Sequence, residues 1–219
     1  AVLPPDLNES YDHFSVSEKG IRFGLAAVKN IGRGFIQRVV QERTENGLFS
    51  DLEDFCARMY GADLNKRALE NLIKCGACDC FGLHRSQMLQ IYDTVLDSVA
   101  NSRRKNVDGQ MGLFDSLADD AEPVVPAVRV PELPELSRRE MMAMEKETTG
   151  LYLSGHPMDD YRAMLRKMNT VPIGAIQESF SEHTDEFRDD QIVTVAGIVQ
   201  NVKMKTTKNQ SMMAYVTLE

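Results

Sequence analysis

Apolar positions in this chain recur at helical spacing over most of its length, with glycine, proline and polar breaks between the groups. Leu25, Ala26, Val28 and Ile31 precede two glycines, Gly32 and Gly34. Phe35, Ile36, Val39 and Val40 follow them, and that second segment runs to about Glu45. Asn46-Gly47 is a stop signal. Ser50-Asp51-Leu52-Glu53 reads as a capping box opening a helix through about Met59, which Gly61 breaks. Leu64-Asn65 starts another, with Leu69, Leu72 and Ile73 on one face. A long helix is expected over about Arg85 to Arg104, its core stripe being Met88, Ile91, Tyr92, Val95, Leu96 and Val99. Ser137-Arg138-Arg139-Glu140 is a further capping box, for a helix with Met141, Met142 and Met144 that ends near Gly150. A short helix around Tyr161–Lys167 follows.

Strand signals are few. Ile21-Arg22-Phe23 predicts a short strand. Gln191 to Lys203 is rich in β-branched residues, with Gly197 as a bulge, and Met212 to Leu218 returns after the polar turn Thr206–Gln210. Two strands alone are marginal in water, so these are expected to open a barrel continuing past Glu219. The pattern divides the chain into an extended arm (1–20), a hairpin-bearing helical region (21–106), a linker (107–136), a helical connector (137–190) and the terminal strands (191–219). Ala1 and the strand-like final residues suggest an excerpt of a longer protein.

Composition changes this picture little, but charge does. The chain has 219 residues and is 42% hydrophobic. It contains no apolar run able to span a membrane, and no secretory leader is visible. Four cysteines without such a leader point to reduced thiols and a cytoplasmic setting. Net charge is −8, which by itself argues against nucleic acid; yet residues 19–106 carry 14 Lys/Arg against 10 Asp/Glu. The basic excess therefore falls on the hairpin region.

That distribution bears on the glycine turn. A helix that starts at Gly32-Arg33-Gly34 presents free amides and its positive end, and Lys29 and Arg33 stand beside them. This combination suits a phosphate, and the reading is a helix-hairpin-helix gripping a nucleic-acid backbone through Lys29, Asn30, Ile31, Gly32, Arg33 and Gly34. An αα-hairpin whose glycines merely close a turn is the alternative. A second apolar helix meets a glycine turn at Leu72-Ile73-Lys74-Cys75-Gly76-Ala77-Cys78-Asp79, echoing the first. Two such hairpins would grip two phosphate strands, with Lys66, Arg67, Lys74 and Gly76 as further contacts.

Cys75, Cys78, Cys80 and His84 have a spacing that four zinc ligands could use, but without a paired knuckle they read better as packing residues, and no metal site is assigned. His156, before a proline, lacks the partners of a catalytic base, and a structural hydrogen bond is the better reading. No catalytic residue is assigned. In the linker, Gln110, Met111, Gly112, Leu113 and Phe114 place an apolar pair behind a glutamine, among acidic residues and prolines. Either a partner pocket receives Leu113 and Phe114, or they fold back on the parent domain.

Across nearly all of its residues the chain resembles the alpha subunit of bacterial DNA polymerase III, in part of its C-terminal half. The resemblance is carried by Ile21–Gly32, by Leu72–Asp79, and by Gly150-Leu151-Tyr152-Leu153-Ser154-Gly155-His156-Pro157. It implies a mainly α fold: a tandem helix-hairpin-helix domain that holds duplex DNA, an extended linker with short helices, and the first strands of a truncated OB fold facing single-stranded template. It further implies that Gln110–Phe114 is an internal sliding-clamp motif, with the glutamine at a pocket rim and the two apolar side chains in a cleft. Other replicase subunits are implied partners. The palm carboxylates that hold Mg²⁺ for nucleotidyl transfer lie upstream in that family, so this stretch is expected to bind no cofactor and not to polymerise. At Cys75, Cys78 and Cys80 the family more usually has small or apolar residues. The rival readings are a hairpin scaffold that packs on protein and a DNA-repair module without clamp binding.

Overall fold

A computed structural model describes residues 2–62, 64–107 and 128–219, which form two compact units, residues 1–155 and 156–219. Among the described residues the protein is mainly helical, with seven α-helices and two small sheets.

The first unit opens with strands β1 (Val2–Leu3), β2 (Ser15–Ser17) and β3 (Gly20–Arg22). They form one sheet in the order β1-β3-β2, with β1 parallel and β2 antiparallel to β3. Residues 2–20 are thus built into the unit and are not the extended arm their prolines and polar residues suggested. Leu7 is fully buried and its amide donates to Ala77 O at 2.9 Å, while the buried Ser10 hydroxyl donates to Phe23 O.

Helices α1 (Arg33–Asn46), α2 (Leu52–Arg58), α3 (Lys66–Lys74), α4 (Arg85–Val107) and α5 (Arg138–Thr149) follow. Helix α2 is capped by Asp51, whose carboxylate accepts from Asp54 N, and not by Ser50 as the capping-box pattern suggested. Asn65 caps α3, and Ser137 and Glu140 form the expected reciprocal cap on α5. The apolar faces of α1 to α4 meet in one core that includes Ile36, Val39, Phe55, Leu69, Leu72, Met88 and Val95. The long apolar segment before Gly32 forms only a 3-10 turn, Leu25–Ala27, so the first hairpin has a single turn where a helix was expected.

One buried ion network joins the later elements of this unit. Arg85, at the start of α4, donates from Nε and Nη2 to Asp79 (3.0 and 2.7 Å) and from Nη1 to Glu145 of α5 (3.0 Å). Glu145 is fully buried, and its other oxygen accepts from Leu153 N, Ser154 N and the Ser154 hydroxyl. Each oxygen of that carboxylate therefore has a donor, as a buried charge requires. Burial works against the Arg85 charge, but its two carboxylates outweigh it and raise its pKa.

The second unit holds a 3-10 turn (Pro157–Tyr161), α6 (Arg162–Lys167), α7 (Ile173–Ser181) and the antiparallel pair β4 (Val199–Thr206) and β5 (Met212–Leu218). His156 caps the 3-10 turn, its Nδ1 accepting from Met158 N at 3.1 Å, which is a structural role. Helix α7 carried no recognised sequence signal. Register places Val202, Met204, Ala214 and Val216 on one face of the β4–β5 pair and Lys203, Lys205 and Tyr215 on the other, all exposed.

Replacing Arg85 with methionine leaves Glu145 buried without its cation. The expected cost is about 3–5 kcal/mol, read as a lower urea midpoint; a midpoint equal to that of the unaltered protein would show that the network contributes nothing to stability.

Candidate nucleic-acid interface

Gly32 is the N-cap of α1, in extended conformation (φ −79°, ψ 145°), and no side chain caps the helix. No acidic residue lies in the first turn. Among the described residues, the amides from Asn30 through Phe35 donate to no protein acceptor; the first bonded amide is Ile36 N, to Gly32 O. Gly32, Arg33 and Gly34 are exposed, and a Cβ added at either glycine would meet nothing within 4 Å. The helix thus starts in the open with a run of bare donors, its positive end and the Arg33 guanidinium together. Such an arrangement accepts an anion.

The corner feeding this helix is fixed from behind. Lys29 N donates to Thr148 O at 2.8 Å, and Lys29 Nζ to Glu147 O at 2.6 Å, at the C-terminal end of α5. Lys29 O accepts from Asn71 Nδ2 of α3 at 2.7 Å. The chain then reverses through Asn30, at φ 63°. The left-handed residue of this turn is therefore Asn30, and neither Gly32 nor Gly34 has positive φ. Asparagine is the non-glycine residue best suited to that conformation, a signal the sequence did offer. Lys29, expected on phosphate, has its ammonium on α5.

The second hairpin, α3–turn–α4, has the opposite accounting. Gly76 is buried at φ 85°, and a Cβ there would collide with the Arg85 guanidinium. Its amide donates to Ile73 O, Ala77 N to Leu72 O, and Asp79 N to Gly76 O. At the start of α4, Arg85 N donates to Glu135 Oε2 (3.0 Å) and Ser86 N to Glu135 Oε1 (3.3 Å). Pro131, Leu133 and Pro134 bind alongside through their carbonyls, to Gln87, His84 and Ser86. Gly76 is thus not a phosphate-facing glycine, and the helix end that would have formed a second anion site holds an internal carboxylate.

The remaining predicted residues are dispersed. Lys66 pairs with Asp93 at 2.8 Å and Asp97 at 3.5 Å, and Lys74 with Glu70 at 2.8 Å and Glu147 at 3.6 Å; both ammonium pKa values are raised, chiefly by the hydrogen bonds they donate to Asp93 and Glu70. Arg67 is exposed on the first turn of α3. Cys75 and Cys78 are buried in the core, and burial pushes the Cys75 thiol up to about 12 and Cys78 well above its ordinary value. These are packing thiols. Among the described residues no group of His, Cys, Asp or Glu is arranged to hold a metal ion. Gln110, Met111, Gly112, Leu113 and Phe114 lie outside the described residues. Asn71, Arg85, Glu135 and Glu145 position the hairpins and were not singled out in sequence, because each works through a partner remote in the chain.

Comparison with known proteins points the same way. A family model described as a helix-hairpin-helix motif matches residues 1–88. The chain is 37% identical over 220 residues to the DNA polymerase III subunit alpha of Vibrio cholerae, covering 100% of this chain and 18% of that protein. It is 39% identical over 217 residues to the same subunit of Thermus aquaticus (99% and 17%), and 34% over 213 residues to that of Deinococcus radiodurans (97% and 16%). The chain therefore spans less than a fifth of the length of these relatives. Among the described residues no helix is long and apolar enough to cross a membrane.

The Glu135 cap is testable. Burial opposes its charge, but the amides of Leu136, Arg85 and Ser86 outweigh it and hold the carboxyl below its ordinary value. Its contribution is therefore present at neutral pH and lost as pH falls through that lowered value. Glu135→Ala should cost about 1 kcal/mol and deprotect the Arg85 and Ser86 amides in hydrogen exchange. Unchanged protection would show that the carboxylate does not cap the helix.

Proposed function

For a chain that belongs to the family of DNA polymerase III alpha subunits, we propose that this stretch holds duplex DNA by its sugar-phosphate backbone, without reading sequence, at the Asn30–Phe35 corner. The observation that carries the proposal is the run of unpartnered amides at an exposed, uncapped helix start. A phosphate oxygen placed there accepts from several of them at once, with Arg33 supplying a full charge. Backbone amides and one guanidinium meet phosphate identically at every base pair, so binding is sequence-independent and weakens steeply with salt.

The glycines fit this use. Among the described residues nothing lies within 4 Å of a Cβ at Gly34, so a methyl there leaves their packing untouched and instead meets whatever approaches from outside. Gly34→Ala should stabilise the fold by about 0.4–1 kcal/mol while weakening binding to random-sequence duplex in a mobility-shift titration. Stabilisation with unaltered affinity would defeat the proposal.

The same reading gives Gln110–Phe114 the role of a sliding-clamp tether, its support being the glutamine, two spacers and Leu-Phe order in a family of DNA polymerase subunits. Leu113→Ala with Phe114→Ala is expected to abolish capture by the clamp in a pull-down; full retention would place that interaction elsewhere. The β4–β5 pair, with Lys203, Lys205 and Tyr215 on one face, suits the opening of an OB fold that meets single-stranded template. Nucleotidyl transfer with Mg²⁺ belongs to carboxylates outside this stretch.

A further inference from the structure

We propose that the second hairpin buttresses the first, and that Asn71 of α3 is the positioning residue through which it does so. The inference rests on the phosphate-binding reading of the Asn30–Phe35 corner.

Asn71 is 7% exposed and lies on α3 beside Leu69, Leu72 and Ile73, which all face the core. Its side chain reaches out of its own hairpin. Nδ2 donates at 2.7 Å to the carbonyl of Lys29, the last residue before the chain reverses. The next residue, Asn30, is left-handed (φ 63°). A non-glycine residue in that region relies on its surroundings to hold it there. Immediately beyond it come the bare amides. Fixing the Lys29 carbonyl fixes the Lys29–Asn30 peptide plane, and through it the direction in which the following amides point.

The accounting on α3–α4 supports this assignment. Its turn is sealed by Arg85 at Gly76, the amides of Cys75, Gly76, Ala77 and Asp79 are satisfied within the hairpin, and the start of α4 is capped by Glu135. Gly76 and its neighbours Cys75 and Ala77 thus present no free amide, unlike the glycines of the first hairpin. What the second hairpin offers instead is one donor, aimed at the corner of the first. Lys29 N, bonded to Thr148 O of α5, supplies the second support for the same corner.

The test replaces Asn71 with leucine, which keeps the volume and removes the donor, in the whole chain and alone or together with Gly34→Ala. Duplex affinity is expected to fall about tenfold, the scale of a missing bond that leaves its acceptor unpaired. The salt dependence should become shallower, by roughly 0.9 in the log–log slope for each phosphate no longer held. A residue that only stabilises the fold would lower the melting temperature and leave the slope and the folded protein's affinity unchanged; that result overturns the proposal. In the double variant the two losses should not multiply, because both act on one corner. Independent, multiplying losses would place the effect of Asn71 elsewhere and also overturn it. If Gly34→Ala leaves affinity unaltered, the phosphate-binding reading itself fails and this inference falls with it; a loss with Gly34→Ala but none with Asn71→Leu defeats the buttress alone. Should Asn71→Leu not fold, Asn71→Ser, whose donor is too short to reach Lys29, is read by the same slope.

Discussion

The buried pair of Arg85 and Glu145 is the constraint on which the arrangement of the first unit depends. A fully buried carboxylate is tolerated only when its oxygens are saturated, and here a guanidinium fills one while two amides and a hydroxyl from Leu153 and Ser154 fill the other. The same guanidinium closes over Gly76 and binds Asp79. One cation therefore determines the geometry of the α3–α4 turn, the placement of α5 and the path of the chain beyond Gly150. Because α5 ends at the carbonyls of Glu147 and Thr148, which hold Lys29, the placement of the first hairpin's corner follows from it too.

Backbone amides separate two hairpins that look alike in sequence. A folded chain satisfies nearly all of its buried donors, so the informative donors are those left without a partner in the open. In the second hairpin the amides of Gly76 and its neighbours Cys75 and Ala77 have acceptors, as do those of His84, Arg85 and Ser86 at the start of α4, the last two on a glutamate carried in from a distant segment. In the first, the amides from Asn30 to Phe35 have none among the described residues. A glycine turn between helices is thus insufficient evidence of a phosphate site, and the repeat of the motif does not imply two grips.

What was legible in the sequence follows from range. The helical periods of the segments before Gly47, after Asp51 and Asn65 and over about Arg85 to Arg104, the stop at Gly47, the Ser137–Glu140 cap and the bare start at Gly32 are local, decided within a few residues, and the structure has them. The helix expected before Gly32 is a single 3-10 turn, because Lys29 and the chain around it are tied to α3 and α5 and not to their own neighbours. The first 20 residues looked extended because their burial is conferred by β3 and by the distant Ala77. Gly76 looked exposed for the same reason: nothing in Leu72–Asp79 announces that Arg85 will cover it.

Gly32 and Gly34 differ from Gly76 in what their missing side chains admit. Glycine in the first turn of a helix costs stability relative to alanine, and proteins recover that cost where the missing side chain makes room for a neighbour. Gly76 does so, since the Arg85 guanidinium occupies the space. Gly34 does not, since among the described residues nothing comes within 4 Å of a Cβ placed there. A helix start that is weakened by glycine, lacks a capping side chain and bears no acidic residue is, for folding alone, a poor solution in three independent ways. Each of the three becomes favourable once an anionic backbone lies against it: the absent side chain allows approach, the absent cap frees donors, and the absent carboxylate removes repulsion. The fold accounts for Gly76 from within the protein, whereas the open start at Gly32 and Gly34 is accounted for by the contact with a sugar-phosphate backbone proposed above.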